Sequence, residues 1–66
     1  MKTNEITTLQ QLADFINSRD SFPLEAFDII ERNGWTDETH TQWGVCSSDT
    51  DRVVLNENAH AEVVPK

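Results

Sequence analysis

The apolar residues follow a helical period in the first half of the chain and a strand period in the second half. In the first half, a capping box formed by Thr8 and Gln11 precedes an apolar stripe at positions i, i+3, i+4 and i+7. The stripe consists of Leu9, Leu12, Ala13 and Ile16. We therefore predict a helix over residues 8–18.

A second apolar face follows the segment RDSF, which is typical of a turn. Pro23 suits the first position of a helix, where its missing N–H is not needed, and a helix is predicted over residues 23–33. The predicted face of this helix consists of Pro23, Ala26, Phe27 and Ile30. If Gly34 adopts a left-handed conformation after the helix, Trp35 takes the position from which a Schellman motif contacts Ile30.

Beyond residue 41 the pattern alternates with a period of two, which predicts three strands over residues 42–47, 52–56 and 60–64. The segments SSDTD and NENA between them are typical of turns. Strict alternation places Cys46 on the face opposite Trp43 and Val45. The face predicted to be covered by the helices consists of Trp43, Val45, Val53, Leu55, Ala61 and Val63. The expected fold is α+β, with two N-terminal helices packed on a three-stranded antiparallel β-meander.

A chain of 66 residues is expected to form one small domain, residues 1–66, that buries only about 60% of its unfolded surface. So small a core favours stabilisation by a partner or by a homodimer. The single cysteine, Cys46, excludes an internal disulfide and favours a reducing compartment. Neither a signal peptide nor an apolar span of membrane length is evident, so we expect a cytoplasmic protein, in the host cytoplasm if it is phage-encoded.

No catalytic, cofactor or metal site is expected from the residue pattern. Cys46, His40 and His60 lack both the third group of a nucleophile–base triad and the close ligand pairs of a zinc site. Asp49 and Asp51 match only the first half of a calcium-binding loop, without its glycine and distal glutamate. We therefore expect that the protein is not an enzyme and acts by contact.

The charge balance indicates the kind of contact. Twelve Asp and Glu residues oppose five Lys and Arg residues, giving a net charge of −7. The scattered cations disfavour direct binding to nucleic acid or to a membrane. Seven charges correspond to roughly 12 Å of duplex DNA, whereas the globule should be about 28 Å across, so only a short stretch of nucleic acid could be imitated.

Two functions are compatible with these observations. In the first, the chain is an inhibitor that docks on a basic surface of a larger nucleic-acid-processing protein or ribonucleoprotein. In size and acidity alone it is similar to small phage-encoded inhibitors, including anti-CRISPR proteins and partial nucleic-acid mimics. The predicted contact residues are Glu25, Asp28, Trp35, Asp37, Glu38, Asp49 and Asp51. In the second, it is a non-inhibitory adaptor or small subunit with a winged-helix-like scaffold whose acidity serves solubility.

Overall fold

The computed structural model describes residues 5–66, so Lys2 lies outside the described residues. It shows an α+β fold, as predicted, with two helices packed on one face of an antiparallel sheet. The sheet order is β1-β2-β3-β4. The elements are α1 (Leu9–Asn17), α2 (Glu25–Arg32), β1 (Thr36–Asp37), β2 (Gly44–Ser47), β3 (Asp51–Leu55) and β4 (Ala61–Pro65). The prediction of three strands is wrong, because β1 is a fourth strand with too few residues to show an alternating pattern.

Helix α1 begins and ends as its sequence pattern predicts. The backbone N–H of Gln11 donates to Thr8 Oγ1 at 3.2 Å, and the N–H of Thr8 donates to Gln11 Oε1 at 3.1 Å. This reciprocal pair is the predicted capping box, and it satisfies two N–H groups that the start of a helix would otherwise leave unpaired. All four residues of the predicted stripe are buried, together with Phe15. The helix thus supplies most of the helical half of the core.

Helix α2 begins two residues later than predicted, because Pro23 and Leu24 form a preceding turn. Their carbonyls accept from the N–H groups of Ala26 and Phe27, each at 3.1 Å. The buried face consists of Ala26, Ile29 and Ile30. Phe27 is 41% exposed, so its predicted place in the core is wrong. Ile29 and Ile30 lie three and four residues after Ala26, so these three side chains share the face that packs on the core. Phe27 lies at the margin of that face.

A Schellman motif ends α2 at the predicted residues. Gly34 has φ of 74°, a conformation that costs a residue with a Cβ atom about 1–2 kcal/mol. The N–H of Gly34 donates to the carbonyl of Glu31 and that of Trp35 to the carbonyl of Ile30, each at 3.1 Å. The chain reverses here and enters β1, where Thr36 lies opposite Ser47 of β2. The motif therefore connects the helical layer to the edge of the sheet.

A β-bulge in β2 overturns the predicted alternation around the second tryptophan. Gly44 lies opposite Val54, but Cys46 lies opposite Val53, so Val45 is an extra residue on its strand. Val45 and Cys46 are both fully buried, whereas Trp43, predicted to face the core, is 51% exposed. The bulge rotates the strand by one position, which strict alternation cannot anticipate. The other predicted core residues of the sheet are confirmed as buried or packed against the core: Val53, Leu55, Ala61 and Val63.

The free edge of β4 is closed by a side chain from α1. Backbone hydrogen bonds join Asn56 to His60 and Thr50 to Lys66 at the two ends of the β3–β4 pair. Hydrogen-bonded pairs alternate with non-bonded pairs along an antiparallel ladder, so the N–H and carbonyl of Ala61 point away from β3. The side chain of Asn17 occupies both groups: its Nδ2 donates to the Ala61 carbonyl at 2.9 Å, and its Oδ1 accepts from the Ala61 N–H at 2.7 Å. Asn17 thus stands where a neighbouring strand would bind.

Asn17→Ala is expected to lower the free energy of unfolding by about 1–3 kcal/mol, because it leaves two partly buried backbone groups of Ala61 without partners. Urea unfolding followed by circular dichroism measures this loss. Gln10→Ala removes another polar side chain of α1, one that bonds only to Asp14 on the helix surface, and should change stability by less than about 0.5 kcal/mol. Equal losses in the two variants would contradict the role of Asn17.

Candidate protein-interaction surface

Helix α2 places the first two predicted contact residues on the outside of the molecule. Glu25 and Asp28 are both exposed in its first turn. Each has a cationic neighbour: Glu25 lies 4.0 Å from Arg19, and Asp28 lies 3.2 Å from Arg32 one turn later. Exposed pairs of this kind contribute at most about 1 kcal/mol, so both carboxylates remain accessible to a stronger cationic partner.

The next two acids lie on β1 and directly after it. The carboxylate of Asp37 accepts from the hydroxyl of Thr39 at 2.6 Å and from its N–H at 2.8 Å. The hydrogen bond from the Thr39 side chain, and then the one from its backbone, lower the pKa of Asp37, so this group is an anion throughout the neutral range. Glu38 is half-buried, and its N–H donates to the Val45 carbonyl at 3.1 Å. Both acids are therefore held by local backbone structure.

The reversal after α2 brings these four acids onto neighbouring elements. The helix packs against β1, and β1 runs back beside it from Gly34. An eight-residue helix is about 12 Å long and two strand residues span about 7 Å, so β1 lies alongside only part of the helix. We use the name acidic flank for these four acids: Glu25 and Asp28 on α2, and Asp37 and Glu38 on or directly after β1.

The two remaining predicted acids lie elsewhere on the sheet. Asp49 is exposed in the turn between β2 and β3, and Asp51 is the first residue of β3, opposite Pro65 of β4. Lys66 reaches the same turn, where its Nζ lies 3.2 Å from the carbonyl oxygen of Ser48. The strand order places β3 two positions from β1. Asp49 and Asp51 therefore lie near a turn that Lys66 also reaches, and not with the acidic flank.

The two tryptophans differ in their surroundings. Trp35 is half-buried and packs against the core, so a large part of its ring supports the end of α2. Trp43 is the more exposed ring and was missed as a surface residue by the sequence pattern. It lies in an open cleft of about 310 Å³ on the sheet face that the helices leave uncovered. The cleft is lined by Glu38, Thr41, Gln42, Trp43, Gly44, Arg52 and Val54.

The loop that carries Trp43 is held in place by Thr41. Its Oγ1 donates to the Glu38 carbonyl at 2.7 Å and accepts from the Gly44 N–H at 2.9 Å. The Thr41 N–H also donates to the Glu38 carbonyl, at 3.0 Å. These bonds draw both ends of the loop so close together that a Cβ at Gly44 would lie 2.8 Å from the Glu38 carbonyl oxygen. These bonds hold the backbone of the loop that carries Trp43. In the sequence, Gly44 is the only indication of this loop conformation.

The thiol of Cys46 is fully buried between β1 and β3. Burial, and then the nearby carboxylates of Glu38 and Asp37, raise the pKa of Cys46 to about 12. The thiol is therefore protonated at neutral pH and lacks the thiolate character that a nucleophile or metal ligand requires. Within residues 5–66, no three His, Cys, Asp or Glu residues are grouped closely enough to hold a metal ion.

No protein-family model, curated protein or solved structure matches this chain. In the part of the chain that the structure describes, no helix is both long and apolar enough to cross a bilayer. The function is therefore inferred from the residues and geometry of the chain itself.

Gly44→Ala is expected to lower the free energy of unfolding by about 1–3 kcal/mol and to displace the 38–43 loop, because the new Cβ meets backbone as well as the Thr41 hydroxyl. The displacement should shift the Trp43 indole N–H and Thr41 amide resonances in NMR spectra. Gly34→Ala is the matched control, since a Cβ there has open space but a strained backbone. It should lose about 1–2 kcal/mol without moving the Thr41 resonance.

The stability of the protein should fall between about pH 9 and pH 12 through Cys46. Above its ordinary pKa of 9.0 the thiol of the unfolded chain loses its proton, whereas the folded thiol keeps it up to about pH 12. The unfolded state then binds fewer protons than the native state, so the free energy of unfolding decreases as the pH rises. Urea unfolding of wild type and Cys46→Ala at several pH values isolates this effect. A constant difference between the two proteins from pH 8 to pH 12 would contradict it.

Proposed function

We propose that this protein is an acidic protein-binding module of the phage or mobile-element inhibitor type, acting in the cytoplasm. It docks on a basic surface of a larger nucleic-acid-processing protein or ribonucleoprotein and presents carboxylates where nucleic-acid phosphates would bind. One observation carries the proposal. All twelve carboxylates lie within residues 5–66, and only two of them form ion pairs among the described residues.

The acidic flank supplies the centre of the proposed contact. Hydrogen bonds from Thr39 hold the carboxylate of Asp37, and hydrogen bonds with Val45 and Thr41 hold the backbone of Glu38, so little backbone ordering is needed on binding. Glu25 and Asp28 can exchange their weak surface pairs for cations of the partner. The exposed part of Trp35 adds an apolar anchor near Asp37, since Trp is enriched among binding hot spots. Asp49 and Asp51, at the turn between β2 and β3, add to the negative field of the whole molecule.

The size and charge of the molecule limit the length of nucleic acid that it could imitate. The described residues extend 28 × 27 × 18 Å, and the net charge of the chain is −7. Duplex DNA carries one charge per about 1.7 Å, which is more than twice the linear charge density available here. The proposal is therefore one of partial imitation, in which a short run of phosphates is replaced, and excludes imitation of a long duplex.

A second candidate is the non-inhibitory adaptor or small subunit, whose acidity serves solubility. The observation that favours it is the exposure of three large apolar side chains: Leu24 is 78% exposed, Trp43 51% and Phe27 41%. Phe27 packs edge-to-face on Phe22, with ring centroids 5.6 Å apart. An adaptor would bind through these apolar groups, and its affinity would depend little on salt.

The double variant Asp37→Lys/Glu38→Lys should bind the partner at least about tenfold more weakly, chiefly through a lower association rate, because it inverts the charge at the centre of the flank. The partner is first captured from cells of the source organism and identified. Binding rates are then measured by surface plasmon resonance at about 50 and about 500 mM salt. Wild-type association should slow steeply at the higher salt concentration, and a nucleic-acid ligand of the partner should compete with the protein.

Glu57→Lys is the matched control, since Glu57 is an exposed carboxylate in the turn between β3 and β4, which contributes no residue to the flank. It should leave the association rate within about twofold of wild type. A partner that does not process nucleic acid, bound equally well at both salt concentrations, would overturn the inhibitor proposal and favour the adaptor.

A further inference from the structure

One face of the sheet is left uncovered by the two helices. Direct partners across antiparallel strands share a face, and two rows of partners point away from the core. One row is Thr36, Ser47, Arg52 and Val64, of which Ser47 is buried, and the other is Gly44, Val54 and Glu62. Trp43 joins this face beside Arg52 and Val54. We call the surface formed by Trp43, Arg52, Val54, Glu62 and Val64 the open face.

Arg52 is the unusual residue of the open face. In residues 5–66, Arg19 and Arg32 are ion-paired and Lys66 donates to a backbone carbonyl. Arg52 is exposed, and no carboxylate oxygen of the described residues lies within 4 Å of it, although the chain carries an excess of acids. Trp and Arg are both among the residue types enriched in interface hot spots.

Both edges of the sheet are poor sites for adding a strand, which leaves the face itself. On β4, Asn17 occupies the backbone groups of Ala61, and Pro65 has no N–H to donate. Strand β1 is two residues long. Short or blocked edges of this kind disfavour pairing with another chain.

We propose that the open face binds a second copy of this chain and forms a two-fold symmetric dimer. The face is self-complementary, since it carries one cation, Arg52, one carboxylate, Glu62, and the apolar Trp43, Val54 and Val64. In an isologous contact the Arg52 of each copy meets a carboxylate of the other while the apolar groups pack together. The proposal does not depend on the acidic flank or on its partner.

Electrostatics favours this face over the rest of the surface. Each copy has a net charge of −7, so two copies repel each other wherever carboxylates are in excess. On the open face the charges of Arg52 and Glu62 balance, and Glu38 lies at its border beside Trp43.

Sedimentation equilibrium of the full chain at fixed salt tests the proposal. Wild type should be mostly dimeric at about 200 μM. Trp43→Ala and Arg52→Glu should each raise the dissociation constant at least about tenfold. The double variant Arg52→Glu/Glu62→Arg, which exchanges the two charges, should return it to within about threefold of wild type, because both cross-dimer pairs re-form. Leu24→Ala is the matched control, since Leu24 is more exposed than Trp43 but lies in the turn before α2.

Circular dichroism of each variant shows whether it is folded, and dilution of ¹⁵N-labelled wild type gives a readout without any substitution. Resonances that move on dilution should belong to the open face. A monomer at every concentration up to about 500 μM would overturn the proposal. So would dilution shifts confined to α1 or α2, or a dimer weakened as much by Leu24→Ala as by Trp43→Ala.

Discussion

The reversal of the chain at Gly34 is the constraint on which the arrangement of the two layers depends. The positive φ of this residue ends α2, directs Trp35 back onto the core and lays Thr36 and Asp37 against β2. Without this turn β1 would not pair, and Asp37 and Glu38 would not lie beside the helix. A local backbone requirement, met by one of only two glycines, thus determines both the strand count and the position of the acidic flank.

The sequence predicts well where local signals agree with one another. The capping box and the apolar stripe of α1 specify the same helix, and the Gly34–Trp35 pair specifies the end of α2. It predicts poorly where the deciding interaction is between distant residues. The bulge that exposes Trp43 and buries Cys46 arises from pairing with β3, and β1 exists because β2 lies next to it. Neither the bulge nor β1 produces a periodic pattern of apolar residues that could be recognised in the sequence.

The same distinction between local signals and interactions of distant residues applies to the candidate surfaces. The positions of Asp37 and Glu38 follow from their proximity to the end of α2, and the sequence could supply them. That Asp49 and Asp51 share their turn with Lys66, and that Arg52 stands beside Trp43, depends on strand register. The composition shows only that the protein is acidic. The positions of its few cations in the fold distinguish one surface from another.

The hydrogen bonds between Asn17 and Ala61 also bear on how the chain behaves before it is fully folded. They exist only while α1 is docked, so any partly folded species that has lost α1 offers the β4 edge to a neighbouring chain. The risk of aggregation then lies in these intermediates and not in the native state. The capping box that begins α1 therefore helps to protect the chain from aggregation during synthesis, when many identical chains are present together.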